Sequence, residues 1–214
     1  VISLETMMSP RKYIERAADS YYRRFGEHPK SRYSSPLKSG NHPELDTTSF
    51  LDGNGIKHYQ SLIRILQWIV MLGCLDIATA VMSMSSFRVG PRIGHIERLK
   101  RVFGYVVKMK HATSRFRVSP PDHSQHPILQ YDWEKVFYDN AREVIDPNCP
   151  KPMGPSVTIM TYVDANLCHD MLSGKSVTGV IHFLNKTIIH CHSKKQPAVE
   201  TATYGSEYMT ARLA

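Results

Sequence analysis

Apolar residues recur at helical spacing through the first half of the chain, and toward its end the period shortens to that of strands. Leu62, Ile65, Leu66, Ile69 and Leu72 follow the i, i+3, i+4, i+7 spacing of one buried helix face, which ends near Gly73. Asp76 is placed to cap a second helix running through Ala80 and Met84 to about Phe87. Pro91 and Arg92 open a third, with Ile93, Ile96, Leu99, Val102, Phe103 and Val106 on one side and Arg98, Arg101 and Lys108 on the other. Gly94 and Gly104 inside that helix count against it on propensity. Residues 57–110 are thus expected to form a three-helix unit with one basic helix exposed. Ahead of it, Ser9-Pro10 and the run from Arg11 predict a helix to about Phe25, closed by Gly26. Glu27 to Gly55 carries three Pro, three Gly and no sustained period, which predicts a long surface loop.

After Lys110, Arg115 to Val118 reads as a short strand. From Ser119-Pro120-Pro121 to Pro155 the chain is irregular and Pro-rich, with an aromatic-acidic patch from Tyr131 to Tyr138, so a linker with a short helix in it is expected. Val157 to Val163, Ser176 to Leu184 and Thr187 to Cys191 are β-rich, and Asn185-Lys186 sits at a two-residue hairpin turn. Thr203 to Ala214 then reads as a helix. The expected fold class is α+β, with a helical segment over 1–110, a linker over 111–156 and an α/β segment over 157–214.

Charge sharpens this picture. The 214 residues hold 27 Lys plus Arg against 19 Asp plus Glu, a net +8. Residues 88–117 alone carry nine cations against Glu97, a local excess equal to that of the whole chain. An anionic polymer or acidic substrate is therefore favoured as a partner. With 42% hydrophobic residues a core is expected and wholesale disorder is not. The longest apolar stretch, around Ile65 to Leu75, is broken by Gln67 and is shorter than the roughly 20 residues a membrane helix needs, so no membrane partner is expected. Val1-Ile2-Ser3-Leu4-Glu5 lacks an initiator Met and signal-peptide features, so the chain is expected to be a piece of something longer. Four Cys without CxxC spacing suit a reduced, intracellular setting.

Two kinds of chemistry stand out. Asp164 directly follows a hydrophobic run and Glu207 falls in the first turns of the last helix; two carboxylates so placed are one way to begin a hard-cation site, and are equally a strand-end turn residue and a solvated helix residue. Arg98, Arg101 and Lys108, with Arg92 nearby, offer a phosphate-neutralising face, though such runs are often merely solvated. Ser193-Lys194-Lys195-Gln196 is a second donor-rich spot or a solvated loop. Cys168-His169 and His190-Cys191-His192 supply zinc-type ligands without finger-like spacing, and Cys191 faces away from its neighbours on a strand. No nucleophile elbow, phosphate-binding glycine loop or dinucleotide fingerprint occurs.

The run Tyr59-Gln60-Ser61-Leu62 through Asp76-Ile77-Ala78-Thr79-Ala80-Val81, followed by His95-Ile96-Glu97-Arg98-Leu99-Lys100-Arg101, resembles the region after the palm in copia-type long-terminal-repeat retrotransposon reverse transcriptases. Ser9 to Glu15 is similar to the segment just after that palm. Tyr162-Val163-Asp164-Ala165, Lys175 to Gly179, Ser193 to Gln196 and Ser206-Glu207-Tyr208 resemble the start of the same polyprotein's ribonuclease H domain. The resemblance implies a thumb- and connection-like helical segment, then an incomplete ribonuclease H-like α/β domain. It implies that Asp164 and Glu207 are the first two of four carboxylates holding Mg²⁺ for cleavage of the RNA strand of RNA–DNA hybrids. It further implies that Ser176, Thr178, Ser193, Lys194, Lys195 and Gln196 lie near the hybrid backbone. The remaining Pol polyprotein would be a partner, in a cytoplasmic particle or the nucleus. The polymerase motif Tyr-x-Asp-Asp is absent, and the last two carboxylates are expected beyond Ala214. Cys74 replaces a usual Arg, and His190-Cys191-His192 a usually aromatic stretch. The chain itself is expected to bind nucleic acid without catalysis; a non-enzymatic binding module or a non-functional relic of such an element are the alternatives.

Overall fold

Helix α1, Arg11–Phe25, begins after Pro10 and ends at Gly26, whose left-handed φ of 67° lets its N–H close back on the Tyr22 carbonyl. This is the end that the sequence predicts. In the computed structural model, residues 5–117, 119–122, 146–151 and 153–214 are described; the patch from Tyr131 to Tyr138 lies outside them. Helix α2, Gly53–Met71, is capped by the Asp52 carboxylate, which accepts the Gly55 N–H at 2.7 Å. A short 3₁₀ turn, Leu75–Ile77, leads into α3, Ala78–Ser85, and α4 spans Ile93–Lys108. Asp76 does not cap α3 as expected; its carboxylate accepts the Tyr105 hydroxyl at 2.7 Å and so ties the α2–α3 corner to α4.

The four helices share one core. Ile14 and Tyr21 of α1, Leu62, Ile63, Leu66 and Ile69 of α2, Val81 and Met84 of α3, and Leu99, Val102 and Phe103 of α4 are all buried. Each such side chain gains roughly 1.5–3 kcal/mol on leaving water. The buried face of α2 is broader than the predicted stripe, because Ile63 and Val70 join it. Tyr59, fully buried, keeps its hydroxyl satisfied on the Met84 carbonyl at 2.7 Å.

From Gly94 to Gly104 the outer face of α4 is largely covered, where the sequence predicts an exposed basic face. Residues 30–50 run across it, with a 3₁₀ turn at Pro43–Leu45 and an isolated antiparallel bridge between Phe50 and Arg92. The two helix glycines mark the crossing. A Cβ at Gly94 would overlap the Asp46 carboxylate, and one at Gly104 would overlap the Lys30 carbonyl and the Tyr33 ring. Close approach of a loop, rather than a break in the helix, is what these residues permit.

Two antiparallel sheets complete the fold. Strand β1, Glu5–Met8, pairs with β2, Ser114–Arg117, from Glu5 opposite Arg117 to Met8 opposite Ser114; β2 therefore lies inside the stretch read as linker. The second sheet is a meander in the order β3, Ile159–Asn166, β4, Val177–Leu184, and β5, Thr187–Lys195. Asn185, at φ 52°, makes the predicted hairpin turn, and its side-chain carbonyl accepts the Thr158 N–H at 2.8 Å. Helix α5, Thr203–Ala211, packs on β3 and β4. The sheet meets the helices through α3 against β5, where the Cys191 thiol lies 3.7 Å from the Leu75 carbonyl, and through β2, whose Arg117 N–H donates to the Thr187 hydroxyl at 2.7 Å. Mixed α+β is thus the fold class, and no helix among the described residues is long and apolar enough to cross a membrane.

The covered face makes a prediction of unusual sign. Alanine in a helix interior ordinarily outranks glycine by about 1 kcal/mol, yet Gly104→Ala should lower unfolding stability by about 1–3 kcal/mol through overpacking against Lys30 and Tyr33. Urea unfolding checks it, with Gly53→Ala, where nothing lies within 4 Å, as a control that does not fall.

Candidate nucleic-acid interface

Asp46 joins the crossing loop to α4. Its Oδ1 accepts the Thr48 N–H at 3.0 Å and the Thr48 hydroxyl at 2.5 Å, while its Oδ2 accepts Arg98 Nη1 at 2.5 Å. Arg98 Nε donates in turn to the Asn41 side chain at 3.0 Å. The Thr48 hydroxyl oxygen accepts the Gly94 N–H at 2.9 Å, satisfying one of the N–H groups that the start of a helix leaves open. The Thr48 carbonyl accepts the Arg92 guanidinium, which also lies 3.8 Å over the Phe50 ring.

His95, 2% exposed, completes the joint. Its Nδ1 accepts the Arg92 N–H at 3.0 Å, which leaves Nε2 protonated to donate to the Pro43 carbonyl at 2.9 Å. Burial depresses its pKa below 6.5, against the opposing pull of the Pro43 carbonyl, so the ring is held neutral. At Asp46, burial raises the pKa, but hydrogen bonds from the Thr48 hydroxyl, Arg98 and the Thr48 N–H outweigh it and hold the carboxyl at about 2.

The expected phosphate-neutralising face is therefore largely occupied. Arg92 and Arg98 are engaged by the loop. Arg101 donates through Nη2 to the Ser35 hydroxyl at 3.0 Å and lies 4.6 Å over the Tyr33 ring. Its Nε is buried and has no hydrogen-bond acceptor among the described residues, a condition that costs about 1–3 kcal/mol. Lys108 alone of the predicted helix cations is exposed, at the end of α4.

The donor-rich residues of the sheet segment divide in the same way. Ser176 and Thr178 are fully buried and Gln196 nearly so, beneath α5. Gln196 Nε2 donates to the Ser206 carbonyl at 2.9 Å and lies 3.1 Å and 3.3 Å from the Thr178 and Thr210 hydroxyls, which are 3.1 Å from each other. The Ser176 hydroxyl accepts the Cys168 N–H at 3.3 Å. Thr178 and Gln196 thus fasten α5 to the sheet by satisfying Ser206 and Thr210, while Ser176 holds the turn after β3. Lys195 pairs with Asp170 at 2.5 Å, where burial raises the Asp170 pKa but the Lys195 and Ser173 hydrogen bonds together bring it down to about 2. Ser193 is half-buried and Lys194 exposed.

Asp164 lies within β3 rather than after it, exposed and opposite Gly179. Glu207 reaches it from α5: its Oε1 accepts the N–H of Ala165, the next residue, at 3.3 Å. The fold thus brings the Glu207 carboxylate to the backbone of β3 beside Asp164. Glu207 spends one oxygen on the backbone, and no cluster of three or more His, Cys, Asp or Glu suited to a metal ion occurs among the described residues. The zinc-type residues are dispersed: His182, His190 and His192 stack along one face of the sheet, Cys191 turns toward the helices, and His169 stands 5.5 Å from the His42 ring.

Asp46, Thr48 and His95 escaped the sequence reading. Asp46-x-Thr48 carries the side-chain-to-backbone pattern of an Asx turn, and His95 falls four residues before Leu99 and seven before Val102 on the buried stripe.

The depressed groups set a pH dependence. Asp46 and Asp170 have folded pKa values below their unfolded 3.8, so their stabilisation is complete above that value and lost as pH falls through about 2. His95 adds a loss that begins below 6.5, where the unfolded chain takes up the proton first. Urea unfolding from pH 7 to 2 should show both stages, and Asp46→Asn should lower stability at neutral pH while flattening the acid limb.

No protein-family model, curated protein or solved structure matches the chain.

Proposed function

We propose that this chain is the segment of a copia-type retrotransposon Pol polyprotein that joins the reverse transcriptase to the ribonuclease H domain, and that it binds nucleic acid without cleaving it. The observation that carries the reading is the order of three antiparallel strands followed by a helix whose Glu207 carboxylate comes to the peptide beside Asp164. In the parent polyprotein, RNA-directed DNA synthesis and cleavage of the RNA strand of hybrids would be the activity, with Mg²⁺ at a site to which Asp164 and Glu207 contribute. The rest of that polyprotein would be the partner, and a cytoplasmic particle or the nucleus the location.

Binding by this chain falls to cations that stay exposed: Lys108 at the end of α4, Lys194 on β5, and Arg32 and Lys38 on the crossing loop. Each can neutralise a phosphate and release its counterion, which makes affinity fall with salt. Two adjacent carboxylates lack the ligands to hold a cleaving pair of ions, so no cleavage step is assigned to the chain.

Fluorescence anisotropy with a labelled RNA–DNA hybrid tests this. Affinity should fall at least about tenfold between 50 and 200 mM salt, and the RNA strand should stay intact with Mg²⁺. Absence of salt-dependent binding would contradict the reading. So would RNA cleavage that Asp164→Asn abolishes.

A further inference from the structure

We propose that the cleft between the crossing loop and α4 is a phosphate-binding site built on Arg32, Lys38 and Arg101. The cleft measures about 430 Å³, and Tyr33, Asn41 and Arg98 also line it. Its charge is unbalanced in a specific way. Arg98 is matched by Asp46 at 2.5 Å, and Glu97, the carboxylate on the lining, is drawn to Lys100 at 3.0 Å. That leaves Arg32, Lys38 and Arg101 with no carboxylate partner among the described residues.

The geometry suits an oxyanion with several acceptor oxygens. Tyr33 has the Arg101 guanidinium 4.6 Å from its ring centroid and that of Arg32 at 5.4 Å. Arg101 spends Nη2 on the Ser35 hydroxyl, and no ion pair among the described residues takes up either guanidinium, the group that recognises phosphate through several N–H donors at once. Arg101 Nε is buried without an acceptor among the described residues, so the guanidinium is not fully satisfied by the loop that covers it. In the cleft between α3 and β5, by contrast, Lys195 is already matched by Asp170. The shared ligand chemistry is a phosphate group, from a nucleic-acid backbone or from a free phosphate compound. Only the first source rests on the function proposed above.

The experiment uses the full chain, inorganic pyrophosphate and a labelled single-stranded oligonucleotide, with affinities measured by calorimetry and anisotropy. Arg32→Gln/Lys38→Gln removes two exposed cations and should leave the melting temperature unchanged. Lys12→Gln/Lys57→Gln removes the same charge from exposed positions outside the cleft. The expected result is pyrophosphate binding weakened about tenfold or more by the cleft variant and unaffected by the control. For the oligonucleotide, the cleft variant should also lower the salt slope by about two phosphate contacts' worth. Pyrophosphate binding lost in the cleft variant, with no oligonucleotide bound by any form, would support the site and overturn the nucleic-acid reading alone. Oligonucleotide bound equally by all three forms, with no pyrophosphate bound, would overturn the site and leave that reading standing. Equal weakening by both double variants would show diffuse charge and overturn the site.

Discussion

One buried carboxylate, Asp46, decides how the helical half of this chain is shaped. The 27 residues between α1 and α2 have one isolated bridge, Phe50 with Arg92, to hold them to α4 by backbone alone. Asp46 adds the central side-chain tie, accepting from Thr48 within the loop and from Arg98 on α4. The same joint caps the start of α4 through Thr48 and fixes the His95 ring between Arg92 and Pro43. Removing one partner would leave charge buried without compensation, which is far more destabilising than never having the pair. The crossing loop in turn lays Tyr33 over Arg101 and so shapes the basic cleft.

The helices were legible because burial on one side writes a 3.6-residue period into the sequence. Arg11–Phe25 and the hairpin turn at Asn185 follow directly from local signals. What could not be read depends on partners distant in sequence. Glu5–Met8 becomes a strand because Ser114–Arg117 lies beside it, and four residues with no alternation give no hint of that. Arg98 and Arg101 look like a solvated face until residues 30–50 fold across them. Gly94 and Gly104, which weighed against the helix on propensity, were the visible trace of that crossing.

In the sheet segment, the strand carrying Asp164 and the helix carrying Glu207 were legible, but not that Asp164 lies within its strand or that Glu207 reaches the Ala165 N–H. Ser176, Thr178 and Gln196 were not legible as interior residues. A polar side chain on a strand reads as exposed unless its partners are known, and here Ser206 and Thr210 of α5 satisfy them. Polar residues thus do opposite work in the two halves: in one they bind the loop that frames a basic cleft, in the other they bury themselves to hold a helix beside a carboxylate.

Amide hydrogen exchange at Thr48 and Gly94 tests the Asp46 joint most directly. A loop amide and an amide at a helix N-terminus ordinarily exchange quickly. If the joint locks the loop to α4, both should be protected to within about tenfold of the interior α4 amides around Phe103. Rapid exchange at Thr48 and Gly94 while the α4 interior stays protected would show that the loop opens independently, and would contradict the account.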